Sequence, residues 1–209
     1  MSNNAAPGLD YFRWFYDDGV WKRMHYRGVR ILKFPSDLWN YREIFSERRV
    51  DWVIETGTRH GGSALYFADL LQLNGASGRV ISIDVDAVAS QVRSHPRIDF
   101  LLGDSGAPET AEQVRARIPP TRGTLFMILD ADHRKAHVLR ELAAWVPLLR
   151  RGDYLIVEDS CVTAIRYGRT SAPVLTKRSR SIAPPTRRRS SAIWRASRNS
   201  ASPSRRAAT

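Results

Sequence analysis

Five short apolar runs, most of them set apart by helix-like stretches, constrain this chain more than any other feature. Each run delivers an acidic residue at or just beyond its end. Residues 51–55 end in Glu55, and residues 79–85 carry Asp84 near their end. Residues 98–102 lead into Gly103-Asp104-Ser105, and residues 124–129 into Asp130. Residues 154–157 lead into Glu158-Asp159. Residues 61–73, 108 to about 117, and 134–149 read as helices, with Pro108 suited to a first turn and Gly152 after the last. Apolar strands alternating with helices imply a parallel sheet covered on both faces. The expected fold is α/β, a Rossmann-like, doubly wound, mostly parallel sheet. Its carboxyl edge collects the acids, and that edge is where open α/β sheets bind ligands.

Before the first strand, residues 11–49 are rich in aromatics and charges. Pro35-Ser36-Asp37 looks like a helix start with Ser36 or Asp37 as cap, and Leu38, Tyr41, Ile44 and Phe45 follow at helical spacing. A short hairpin or loop is expected at residues 21–33. Residues 1–49 are thus read as a helical, aromatic cap, 50–160 as the ligand-binding domain, and 161–209 as a basic tail. Trp21, Trp39, Trp52 and Trp145 read as core or rim aromatics.

The tail accounts for the charge. The chain of 209 residues has a formal net charge of +12. Yet residues 1–159 hold all 21 acidic residues and 21 of the 33 basic ones, so that segment is neutral. Residues 160–209 contain ten Ser, eight Ala, four Pro and eleven Arg. Such a segment buries too little to offset its ordering entropy, so disorder is expected. Nucleic-acid binding is not expected of the neutral domain and would be electrostatic if it came from the tail. One cysteine, Cys161, excludes an intramolecular disulfide and a cysteine zinc cluster. No apolar run approaches the ~20 residues of a membrane helix, and the first residues lack a secretory pattern. A cytoplasmic protein is expected.

The chemistry is concentrated at four places. In Glu55-Thr56-Gly57-Thr58-Arg59-His60-Gly61-Gly62-Ser63 a strand hands an acid to a glycine-rich turn that opens a helix. Glycines admit close backbone approach, and a helix start attracts a carboxylate or phosphate. An acid two residues before the first glycine would repel a pyrophosphate but could accept from an ammonium. That favours S-adenosylmethionine over a dinucleotide. Asp84 is placed to accept ribose hydroxyls, with a helix cap as its bland alternative. Asp104 and Ser105 could serve the adenine, while capping of the helix at Pro108 would explain Ser105 equally well. Asp130, Glu158 and Asp159 could converge, and packed carboxylates call for a cation. Oxygen ligands suit Mg²⁺; separate caps and surface acids are the alternative. His133, beside these acids, is the candidate base. His133 and His137 are spaced to share a helical face.

These stretches, with Lys33-Phe34-Pro35-Ser36-Asp37-Leu38-Trp39 and Ile128-Leu129-Asp130-Ala131-Asp132-His133, resemble the cephalosporin hydroxylase / rhamnosyl O-methyltransferase family over about residues 14 to 160. The resemblance implies a class I methyltransferase fold, S-adenosylmethionine and Mg²⁺. It places metal ligands at Asp130, Glu158 and Asp159. It places cofactor contacts at Glu55, Gly57, Thr58, Gly61, Gly62 and Ser63, and the strand-end reading adds Asp84, Asp104, Ser105 and Asp130. The implied activity is O-methylation of a small-molecule or sugar hydroxyl, of the antibiotic- or glycan-tailoring type; His133 is taken as its catalytic base from its place beside the acids. By analogy, residues 11–33 could join copies into a homo-oligomer. Such a sheet usually continues through two further strands. The chain departs from that after Asp159, so the fold is expected to be C-terminally incomplete, through either a natural tail or a shifted reading frame. The alternative function is an inactive cofactor-binding protein of the same family.

Overall fold

The computed structural model describes residues 7–86 and 90–159. The expected tail at 161–209 lies outside the described residues.

The chain begins with helix α1 (Pro7–Asp17) and a 3-10 turn at Val20–Arg23. A two-residue hairpin follows, β1 (His25–Tyr26) and β2 (Val29–Arg30), then α2 (Pro35–Arg48). The alternating part runs β3 (Val50–Thr56), α3 (Gly62–Leu73), β4 (Val80–Asp84), β5 (Ile98–Leu102), α4 (Pro108–Arg117), β6 (Thr124–Leu129), α5 (Lys135–Trp145) and β7 (Tyr154–Val157). The five long strands form one parallel sheet in the order β5-β4-β3-β6-β7. The order reverses between β3 and β6, which opens a crevice at their carboxyl ends.

Residues along the central strands alternate between two cores, as a side-chain period of two requires. Val53, Val80, Phe126 and Ile128 face α2 and α3, against Tyr41, Phe45, Phe67 and Leu71. Ile54, Ile81, Ile83, Leu125, Met127 and Leu129 face α4 and α5, against Ala111, Val114 and Trp145. Phe45 and Phe67 stack with centroids 5.7 Å apart, and Phe126 meets Phe45 edge-on at 5.0 Å. β7 is half-buried along its length, unlike β6 beside it.

Three local expectations need correction. α2 is capped by Phe34 with Pro35 in the first turn, not by Ser36 or Asp37. Proline presets the helical φ there, so a side-chain cap is not required. α5 stops at Trp145 instead of running to 149, and a 3-10 turn over Val146–Leu148 replaces its end. Pro147 has no amide to continue the ladder. His133 precedes α5, whereas His137 lies on it, so the two histidines do not share a helical face.

Candidate cofactor and metal site

The crevice is built outward from the end of β3. Glu55 is fully buried there. Ser82 Oγ, one strand over, donates to Glu55 Oε2 at 2.7 Å, and Thr58 Oγ1 lies 2.7 Å from Ser82 Oγ. Glu55 Oε1 is buried and has no hydrogen-bond partner among the described residues, while Ser63, in the first turn of the next helix, also acts on the carboxyl as a hydrogen-bond donor. Burial lifts the Glu55 carboxyl to about 7, although the Lys33 charge pulls it back. A buried carboxylate oxygen left unmatched is costly, and it marks a place where a cationic donor would be held.

The turn after Glu55 hugs the sheet. Gly57 N donates to Ile83 O at 2.8 Å. Gly57 has φ +88°, and a Cβ there would run into the backbone carbonyl of Asp130. Gly61, φ +86°, faces Ser90 and Val92. Gly62 packs on the Arg30 carbonyl of β2, so its missing side chain serves the hairpin contact. Ser63 is buried in the first turn of α3. Arg59 and His60 lie on the turn, with His60 O accepting from Gln91 N at 2.9 Å.

Asp84 caps this turn from β4. Its Oδ2 accepts from Arg59 N at 2.8 Å and its Oδ1 from Asp86 N at 3.0 Å. Each oxygen keeps a further lone pair. Asp104, past β5, accepts from Gly106 N at 2.8 Å and from Arg140 at 3.0 Å. The Gly106 amide, foremost, and Arg140 hold its carboxyl below the ordinary range. Ser105 turns away from this edge into α5. Its hydroxyl donates to buried Glu141 at 2.7 Å and lies 3.1 Å from His137 Nε2. Trp145 Nε1 donates to Ser105 O at 2.8 Å. Ser105 does not cap α4, whose N-cap is Ala107.

The second half of the crevice lies past β6 and β7. Asp130 N donates to Thr56 Oγ1 at 3.0 Å, tying it to the glycine turn. Ligand atoms of Asp130, His133 and Asp159 lie within 4.8 Å of one another. His133 Nε2 is 3.2 Å from Asp159 Oδ2. Asp159 takes φ +54°, a left-handed conformation that aspartate tolerates better than most residues. The expected Glu158 does not join that group of three but is linked to it through Lys33: Tyr41 Oη donates to its Oε1, and Lys33 Nζ, which also holds Asp130, approaches the same oxygen at 3.3 Å.

Lys33 is the residue that sequence reasoning missed. It is only 4% exposed, and its Nζ lies 2.5 Å from Asp130 Oδ2. Burial alone would discharge it, but Asp130 and Glu158 hold its pKa well above the ordinary value. Burial pushes the Asp130 carboxyl up, with Lys33 pulling against it and Glu158 adding to the rise. Tyr41 is pushed up by burial and by Glu158. Lys33 opens the 33–39 stretch, yet its partners are 97 and 125 residues away, beyond any local pattern.

The donor set is therefore carboxylate-rich with one imidazole. Oxygen donors suit Mg²⁺ or Mn²⁺, whereas an imidazole is more usual for Zn, Fe, Ni or Cu. The glycine turn and the unmatched Glu55 oxygen suit an amino-acid-bearing ligand.

Comparison with known proteins identifies the family. The rhamnosyl O-methyltransferase of Mycobacterium tuberculosis (strain H37Rv) is 42% identical over 157 residues, covering 74% of this chain and 64% of its own length. The chain thus spans somewhat less than two thirds of that relative. A CmcI structure holding Mg and SAM is 29% identical with a TM-score of 0.58, covering 70% of this chain and 61% of the other. The MycE methyltransferase of mycinamycin biosynthesis, solved with Mg and SAH, is 25% identical with a TM-score of 0.50, covering 62% and 33%. The family model described as Rhamnosyl O-methyltransferase/CmcI matches residues 18–177. With a Rossmann-like sheet, an acid-ended glycine turn and a carboxylate cluster at one edge, the chain belongs to the rhamnosyl O-methyltransferase/CmcI family.

Proposed function

We propose that this chain is an S-adenosylmethionine-dependent O-methyltransferase whose acceptor is a hydroxyl of a sugar or small molecule, assisted by Mg²⁺. The observation that carries the reading is Glu55, fully buried at the β3 end with an unmatched oxygen beside the glycine turn. Glu55 Oε1 accepts from the cofactor ammonium. Gly57, Thr58 and Gly61 to Ser63 shape the turn around the methionine end, and Asp84 accepts from the ribose hydroxyls. Backbone around Gly103 and Asp104 borders the adenine. The Ser105 hydroxyl stays with Glu141 and serves the wall rather than the ligand.

Asp130 and Asp159 would hold the metal, with Glu158 joining through the oxygen that Lys33 and Tyr41 do not contact, and the metal would supply a Lewis acid for substrate oxygens. The chain's own residues mainly orient the partners, a contribution worth about 7–11 kcal/mol when geometry is near attack. The site would hold the acceptor hydroxyl against the methyl group that the bound cofactor presents. The cofactor, when bound, would supply the methyl group and keep the C–S electron pair on its sulfur. The hydroxyl proton passes to His133, half-exposed and oriented by Asp159. Support comes from the family membership, from relatives named as rhamnosyl O-methyltransferases, and from neighbours whose structures hold Mg with SAM or SAH.

The test is calorimetric titration of the full chain with S-adenosylmethionine, in Mg²⁺ and then in EDTA. Micromolar binding is expected, followed by methylation of a rhamnosyl or other hydroxyl acceptor. A folded chain that binds no cofactor would reject the proposal.

A further inference from the structure

We propose that Lys33 is a built-in cation of the carboxylate centre, setting its charge to match a single divalent ion. The inference rests on the metal reading above.

Lys33 Nζ contacts one oxygen on each of two carboxylates, Asp130 Oδ2 at 2.5 Å and Glu158 Oε1 at 3.3 Å. The other oxygen of each lies outside these contacts. The lysine comes from the segment between β2 and α2, fixed by buried Ile31 on one side and the α2 start on the other. Tyr41 of α2 donates to the same Glu158 oxygen. The ammonium is therefore enclosed and cannot swing to solvent as a surface lysine does.

The charge arithmetic gives this position its meaning. Asp130, Glu158 and Asp159 bring three negative charges to one end of the crevice. Lys33 returns one, and the remaining two equal the charge of Mg²⁺ or Mn²⁺. A neutral imidazole at His133 changes nothing in this sum. Arg134, the nearest basic residue in sequence, is engaged with Asp132 at 2.8 Å. Glu55 also acts on Lys33 through its charge, and the cofactor ammonium matches it in the proposal above. Without Lys33 the centre would present a third charge and would favour a trivalent ion. The effect of the lysine is thus on which charge of ion is held, beyond any effect on folding.

The experiment uses the full 209-residue chain, with Mn²⁺ and Tb³⁺ as probes. Each dissociation constant is measured by calorimetry or sensitised luminescence, and the ratio of the two is the readout. Lys33→Met should shift the ratio toward Tb³⁺ by about tenfold or more, the size of one unit charge acting a few ångströms away in a partly screened site. Lys33→Arg, which keeps the charge, should leave it near the wild-type value. An unchanged ratio in folded Lys33→Met, judged by circular dichroism, overturns the proposal and leaves the metal reading standing. Should Lys33→Met not fold, Glu158→Gln and the double variant Lys33→Met/Glu158→Gln replace it. The double variant leaves no unmatched buried charge of that pair. Glu158→Gln alone should shift the ratio toward Mn²⁺, and the double variant should bring it back. A double variant that matches Glu158→Gln overturns the proposal. Wild-type protein that binds neither ion, or an Asp130→Asn variant that binds both unchanged, defeats the metal reading itself.

Discussion

Glu55 carries a protonation signature that can be measured. Its carboxyl is raised from 4.5 to about 7 by burial. Between those two values the folded chain holds more protons than the unfolded one, so stability falls as pH rises through that window and levels off above it. Thermal melts from pH 4.5 to 8 should show this slope, and Glu55→Gln should flatten its Glu55 part. A cationic ligand favours the ionised form, so binding at pH 6 should release a proton. Calorimetry in two buffers of different ionisation enthalpy reads that release, and its absence would separate Glu55 from the ammonium. Asp130 belongs to the other half of the crevice. Asp130→Ala should abolish Mg²⁺-dependent turnover while much cofactor binding survives. Activity that is indifferent to EDTA in the unaltered protein would remove the metal from the mechanism.

Two features join the elements into one sheet. Arg122, just before β6, pairs with Asp153, just before β7, at 2.6 Å, both side chains 4% exposed. Asp153 also accepts from Leu125 N at 2.8 Å and Arg150 N at 2.7 Å. Burial raises its carboxyl, but these bonds outweigh burial and hold it below the ordinary range. Breaking one side of such a pair leaves a buried charge, so Arg122→Met should lower unfolding stability by about 3–5 kcal/mol in urea titration. At the β3–β6 junction, Gly57→Ala meets both a positive φ and the Asp130 carbonyl. Backbone strain of that kind is worth about 1–3 kcal/mol, and cofactor affinity should fall with it, measured on the same titration as above. The apolar runs that became β3 to β7 were legible because buried parallel strands are apolar on both faces. The acids that follow them were legible because they interrupt those runs. Helix α1 was legible only as part of a helical, aromatic cap, although Leu9, Phe12 and Tyr16 recur at helical spacing and Asp10, Arg13 and Asp17 recur on another face. The inward turn of Ser105 was hidden, because Glu141 lies 36 residues further on.

At the scale of the whole molecule, the described residues contain no helix long and apolar enough to cross a membrane. The two halves of the crevice share the junction of β3 and β6, so ligands should stabilise the fold together. Cofactor at a hundred times its dissociation constant should add about 2.7 kcal/mol to unfolding stability, provided the unfolded chain does not bind it. A melting temperature that is unmoved by cofactor and Mg²⁺ would contradict a preformed site. The legible part of the crevice came from strand ends close in sequence to their turns. The part that stayed hidden, Lys33 with Tyr41, comes from ahead of the sheet and meets it only in space.

That meeting has a consequence in time. Lys33 finds Glu158 across 125 residues of chain, and distant contacts form slowly because a long loop must close first. On the ribosome the lysine is made early and its carboxylates late. It must stay hydrated until β7 docks, and only then lose its water. Closing the centre should therefore be one of the last events of folding. Pulsed hydrogen exchange should find amides of β3 and β4 protected before those of β7.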